Sequence, residues 1–170
     1  GICAAYLCGM LWFARPGRQT SEFAVGSLLV LFVGQLGYLA VPGYGPVAHL
    51  SQAFAGPIQG GFFWGCVQDA VAGGGAMKDI FPSLHTALPT WFAAFAWRRA
   101  RYRRRWLPIA AVTTFFAANI VVSTMFLRWH YAVDVVAGLA LAGFAAFAAP
   151  RLVDWEQRLR RARAWAPTWR

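Results

Sequence analysis

Two short stretches hold the residues able to do chemistry, Pro82-Ser83-Leu84-His85 and His130-Tyr131-Ala132-Val133-Asp134. Each stands where a long apolar segment begins, with Lys78 seven residues before His85 and Arg128 two before His130. Two imidazoles, a hydroxyl, a carboxylate and two cations are the parts needed to take phosphate off a lipid. A carboxylate four residues after a histidine shares its helical face. By accepting from one ring nitrogen it leaves the other to act as base or nucleophile. A histidine on a second helix suits protonation of a departing alkoxide. Pro82 suits a first helical turn, which would put Ser83 and His85 where free N–H groups and the helix dipole attract anions. Ser83 suits hydrogen bonding to phosphate better than attack, because no residue beside it is an evident base. Arg128 offers bidentate bonds to phosphate oxygens and Lys78 a mobile point charge.

The elements that must position these groups read as membrane helices. Apolar residues make up 59% of the 170-residue chain and charged ones 13%, against about 45–50% and roughly a quarter in soluble domains. The apolar content lies in five runs: Ile2 to Ala14, Phe23 to Val41, Leu84 to Trp97, Trp106 to Leu127 and Tyr131 to Pro150. The first reaches only about 20 Å against a hydrocarbon core of about 30 Å. It reads as a span lacking its first turns, so the native protein is expected to begin further upstream. Ser21 and Glu22 read as the cap and first-turn acid of the second span.

The net charge of +10 does not point to nucleic acid, because of where it lies. Fourteen of sixteen basic residues fall in three places: Arg15 and Arg18, the six arginines from Arg98 to Arg105, and the six from Arg151 to Arg170. Five single crossings put all three on one side, cytoplasmic by the positive-inside rule. Lys78 and Arg128 then stand alone on the outer side, with both chemical stretches.

The domain reading is a membrane domain over residues 1–150 and a basic interfacial tail over 151–170, with Trp155, Leu159 and Trp165 among its arginines. Residues 42–82 form a long outer loop. Its part from Ser51 to Ala72 holds too many glycines, glutamines and breakers to span, and reads as short interfacial helices. Gly43-Tyr44-Gly45-Pro46 and Gly73-Gly74-Gly75 read as turns, the second able to hinge a lid. Trp129 and Tyr131 read as interface-belt aromatics. Cys3, Cys8 and Cys66 lack metal-type spacing and read as free thiols.

On these residues the chain resembles the type 2 phosphatidic acid phosphatase superfamily of membrane phosphatases and phosphotransferases. The second signature of that family, Pro-Ser-x-His, matches Pro82-Ser83-Leu84-His85. Its third, Ser-Arg and then, after five residues, His-x-x-x-Asp, matches Ser123, His130 and Asp134, with Thr124 in place of the arginine. The first signature, Lys-x6-Arg-Pro, is absent. Instead Pro42-Gly43-Tyr44-Gly45-Pro46 looks like the Pro-x-x-Gly-Pro loop of the branch that includes inositol phosphorylceramide synthases, as do Phe81 and the run from His130 to Val135. The resemblance implies an all-α bundle of six spans, five of them in this chain, with the site on the outer face. It implies His130 as the nucleophile that forms a phosphohistidine, Asp134 as its orienting partner and His85 as the acid, with no metal or other cofactor.

The resulting expectation is an integral membrane enzyme of a bacterial plasma membrane that cleaves a lipid phosphoester or pyrophosphate. The alternative is a phosphotransferase moving a phospho-head group such as phosphoinositol between lipid and alcohol. The expected partners are a lipid phosphate and membrane lipids. A haem protein with His85 and His130 as axial ligands, a non-catalytic transporter or scaffold, and a Ser83-based hydrolase compete with it. The haem reading leaves Asp134, Ser83 and both cations without a role.

Overall fold

The computed structural model describes residues 17–56, 58, 60–74 and 79–166, so the run from Ile2 to Ala14 and Lys78 lie outside the described residues. Every regular element among the described residues is helical. In chain order these are α1 (Arg18–Ala40), α2 (Pro46–His49), a 3-10 turn (Ser51–Ala53), α3 (Phe62–Gly74), α4 (Leu84–Ala100), a 3-10 turn (Arg104–Trp106), α5 (Leu107–Phe126) and α6 (Ala132–Ala162).

Three helical stretches, Arg18–Ala40, Arg104–Phe126 and Ala132–Ala162, are long and apolar enough to cross a membrane. Their outward faces are apolar: Phe32, Phe115, Val122, Phe126, Val136 and Phe147 are all exposed. Meanwhile Glu22, Ser27, Ser83, Thr86, His130 and Asp134 are buried. A surface greasier than its interior belongs in lipid, as an integral membrane protein requires.

The shorter α4, 17 residues or about 25 Å, packs against α1, α5 and α6 together. Its Trp91, Phe92 and Phe95 bury against Phe23 of α1, whose ring centroid lies 5.1 Å from each of the two phenylalanines. Gly26 makes room for Trp91, since a Cβ there would fall 2.1 Å from the indole. The indole N–H donates to Ser27 Oγ at 3.2 Å, which satisfies a donor that would otherwise be orphaned in the core.

The helix ends differ from expectation in instructive ways. α1 starts at Arg18 with Gly17 as its cap, so Ser21 and Glu22 lie inside the helix rather than at its cap and first turn. Glu22 faces inward and pairs with Arg98, at 3.2 Å, and with Arg99 of α4. Arg18 pairs with Asp154 of α6 at 2.8 Å. The start of α1 and the arginine-bearing parts of α4 and α6 therefore meet at one end of the bundle.

α6 also runs through Pro150 to Ala162 as one 31-residue helix, with no break where a separate tail was expected. A proline has no N–H for the carbonyl four residues back, here that of Ala146. Arg98 donates to that carbonyl instead, so the helix keeps its course. At about 46 Å, α6 is longer than the hydrocarbon core, and its arginines lie on the extension.

Among the described residues from 42 to 82 the helices are all short, and Gly73 and Gly74 belong to α3 rather than to an open turn. Gly75 lies outside the described residues.

Candidate active site

At the end opposite the arginines, the mouth of α4 is tied to the mouth of α6. Ser83 caps α4, its Oγ accepting from Thr86 N–H at 3.3 Å, and Ser83 N–H donates to the Asp134 carbonyl at 3.0 Å. Pro82 consequently lies before the helix, and Ser83 is the capping residue rather than part of the first turn. The Ser83 side chain is fully buried. Three glycines allow this close assembly. A Cβ on Gly138 would fall 2.5 Å from the Ser83 carbonyl oxygen, one on Gly37 2.3 Å from Pro82, and one on Gly34 2.3 Å from Leu84.

Gly138→Ala should therefore push α6 off the backbone of Ser83. Because a misplacement of about 1 Å can cost about 100-fold in rate, any turnover that depends on the joined helix mouths should fall by about that factor. Steady-state assay of the purified variant checks this, and wild-type turnover would refute it.

The docking brings the two histidines together. His85 Nδ1 lies 3.5 Å from His130 Nε2, with ring centroids 5.7 Å apart. His130 is 4% exposed, whereas His85, in the first turn of α4, is exposed. On the other side of the His130 ring, Nδ1 stands 3.7 Å from Asp134 Oδ2 and carries no hydrogen bond. The same Oδ2 accepts from Tyr131 N–H at 2.8 Å, so Asp134 caps its own helix as it faces the imidazole. Tyr131 is thus the N-cap of α6.

Burial, and secondarily the charge of His85, push the His130 pKa down to about 4, against a small opposing effect from the Ile80 backbone. The ring is neutral at physiological pH, with a lone pair ready for attack.

His130 is presented by a tight reversal after α5. Trp129 N–H donates to the Thr124 carbonyl at 3.0 Å and Arg128 N–H to that of Met125 at 3.0 Å. This is a Schellman closure with Arg128 at the left-handed position, φ 61°. Thr124, which stands where the family signature has arginine, is 2% exposed and holds the turn together through its carbonyl. The Pro42–Pro46 loop docks on this reversal: Val47 N–H donates to the Arg128 carbonyl at 2.8 Å, and a Cβ on Gly45 would fall 2.4 Å from the Trp129 carbonyl.

The arrangement pairs a buried neutral imidazole with a carboxylate behind it and a second imidazole in front, which suits nucleophilic attack followed by proton transfer. Residues 2–148 match the PAP2 superfamily. The chain belongs to that superfamily. A PAP2 chain is a phosphoester-handling enzyme of the phosphatase or phosphotransferase type. No curated protein and no solved structure matches this one.

Of the residues singled out from sequence, this PAP2 chain gathers His85, His130, Asp134 and Ser83 at the joined mouths of α4 and α6. Arg128 points elsewhere. Its guanidinium sits 3.8 Å from the centroid of the Phe54 ring and donates to the Gly56 carbonyl at 3.3 Å. It lines a cavity of about 580 Å³ whose walls include neither histidine. Trp129, read as a belt aromatic, lies between the two, lining the cavity with its ring 6.3 Å from that of His85.

Sequence reasoning missed Gly138 and the cavity residues Phe54, Trp64 and Gln68. Gly138 was within reach, because it stands one turn after Asp134 on the same helical face. The cavity residues carry no spacing signal, since they come from separate short elements of the outer loop.

Proposed function

We propose that this PAP2 chain is a membrane phosphatase that cleaves a lipid phosphoester or pyrophosphate through a phosphohistidine on His130, without a metal. The observation that supports this reading most is the 3.5 Å approach of His85 to His130 beside the Asp134 carboxylate. The lone pair on His130 Nε2 attacks phosphorus and the P–O ester bond breaks in line. The departing alkoxide takes its proton from the His85 imidazolium. Asp134 accepts a hydrogen bond from Nδ1–H of His130 as positive charge builds on that ring. Water then gives its proton to His85, its oxygen attacks phosphorus, and the P–N bond breaks to release phosphate.

A phosphoryl group needs about 3 Å on each side of phosphorus, more room than the present 3.5 Å between the rings leaves. The exposed His85 is the ring free to withdraw, while the buried His130 stays fixed. Lys78 neutralises the phosphate oxygens, and the N-termini of α4 and α6 add backbone donors. Ser83, as the cap, serves that cradle by setting where α4 begins.

In the membrane the arginine-bearing end lies in the cytoplasm and the histidines at the extracytoplasmic face. The α4 helix and the run from Ile2 to Ala14 supply two further crossings, for five in this chain. A bacterial plasma membrane fits this orientation.

The test is a panel of 32P-labelled lipid phosphates, quenched under alkaline denaturing conditions that preserve phosphohistidine, with the label located by mass spectrometry. Label on His130 and phosphate release without added alcohol are expected. Label on His85 or Ser83, or on no residue, sinks the mechanism. An absolute requirement for an alcohol turns the enzyme into a phosphotransferase, the second reading, which the cavity beside Trp129 favours.

A further inference from the structure

Of the three long apolar helices, α5 is the least covered by the rest of the chain. Among the described long helices it packs closely against α4 alone. One whole seam of it faces outward, for Val112, Phe116, Asn119, Ser123 and Phe126 are all exposed. These positions recur at alternating steps of four and three residues, the spacing by which two helices mesh along a left-handed seam.

Valine and phenylalanine on that seam suit lipid, but an amide does not. Asn119 stands about 18 Å along α5 from Leu107 and about 10 Å short of Phe126, a depth inside a hydrocarbon core of about 30 Å. Its Nδ2 donates to the Phe115 carbonyl at 2.8 Å. Among the described residues this is the one hydrogen bond the amide makes, which leaves its second N–H and its Oδ1 unanswered. Thr114, exposed on the same helix, is answered within the chain. Its hydroxyl donates to the Ala110 carbonyl at 2.7 Å and accepts from the Trp97 indole at 2.8 Å. Polar groups facing hydrocarbon are costly, and a second helix with matching groups at that depth removes the cost.

Depth and chemistry single out the partner. The arginine clusters orient every copy of the chain alike, so a second copy carries Asn119 at the same depth. A two-fold axis along the membrane normal then sets the two amides face to face. A primary amide both donates and accepts, so each N–H meets the other Oδ1 and no charge is buried. Gln35 of α1 is the other exposed amide in these three helices. Pairing it with Asn119 joins two different faces, a head-to-tail contact that leaves an amide of each kind open unless a ring closes. The run from Ile2 to Ala14 offers a phenol and two thiols but no amide.

We propose that α5 is a homodimerisation helix, through which two copies pack along the Val112–Phe126 seam with Asn119 hydrogen-bonded to the partner's Asn119. Because α5 leads directly into the reversal that presents His130, such a dimer opens both sites on one face of the membrane.

Förster transfer between donor-labelled and acceptor-labelled full chains in lipid vesicles, titrated against the protein-to-lipid ratio, measures the association. The wild-type chain should associate, and Asn119→Leu should raise the dissociation constant at least about tenfold. Gln35→Leu should leave it unchanged. Leucine is favourable at an exposed position within lipid, and thermal melting in detergent confirms that both variants fold. Oxidative cross-linking reads the geometry. Asn119→Cys and Phe116→Cys should yield a covalent dimer, whereas Phe147→Cys, exposed on α6, should not. The wild-type chain is the control for Cys3, Cys8 and Cys66. A monomeric wild-type chain, in which the chain's own segments cover the amide, overturns the proposal. So does wild-type association of Asn119→Leu, loss of the dimer in Gln35→Leu, or cross-linking through position 147 in place of 119.

Discussion

His130→Gln should abolish turnover of every lipid phosphate the wild-type chain accepts, by on the order of 10⁴-fold or more, as expected when a covalent nucleophile is lost. The trapped phosphoryl adduct should vanish with it. Glutamine fills much of the buried site, so the variant should still elute as a folded particle in detergent. The wild-type chain should keep forming adduct in acid until pH falls through about 4, where the buried ring gains a proton. The sign follows from the chemistry: only the neutral ring attacks, and burial with the neighbouring His85 holds it neutral over a wider range than a free histidine. Adduct formation that fails well above that pH, or a variant within tenfold of wild type, would show that another group attacks.

The second large effect is expected from Asp134→Asn. The amide oxygen can still accept from Tyr131 N–H, so α6 keeps its cap and stability should change by no more than about 1 kcal/mol. That same oxygen faces His130 Nδ1, so the variant keeps the geometry but loses the negative charge that stabilises positive charge building on the ring. A comparable swap behind a catalytic histidine costs about 10⁴-fold. Here the Nδ1–Oδ2 separation is 3.7 Å, longer than a hydrogen bond, so a fall of about 10³–10⁴-fold is expected. Thermal melting set beside turnover separates this from simple unfolding. Turnover within tenfold of wild type would mean that Asp134 serves only as a helix cap.

The resting geometry suits a two-stroke site. His130 is held on both sides, by the reversal that Thr124 closes and by the start of α6, whereas His85 stands at an exposed helix mouth. On the proposed mechanism, a fixed nucleophile with a movable acid lets one pocket hold both substrate and phosphoryl intermediate. Gly138 is what lets the helix that carries Asp134 lie against the helix that carries His85.

Much of this is legible in the sequence alone. Period and composition marked the helices, because an apolar run long enough to cross lipid has few other uses. The Pro-Ser-x-His and His-x-x-x-Asp spacings named the histidines, the carboxylate and the family, because local helical geometry turns spacing into shared faces. Tertiary packing decided the rest. Ser21 and Glu22 looked like a helix start, but the ends of helices α1, α4 and α6 converge, and Glu22 answers two arginines from α4. Pro150 looked like a stop, but Arg98 supplies the hydrogen bond that proline cannot. Arg128 looked like a phosphate ligand of the histidine pair, but a left-handed backbone after α5 turns it onto Phe54 in a separate cavity. Sequence by itself determined which groups the chain carries and in what helical register. Which of them meet depended on glycine-sized gaps and charge pairs between distant segments, contacts that no local pattern encodes.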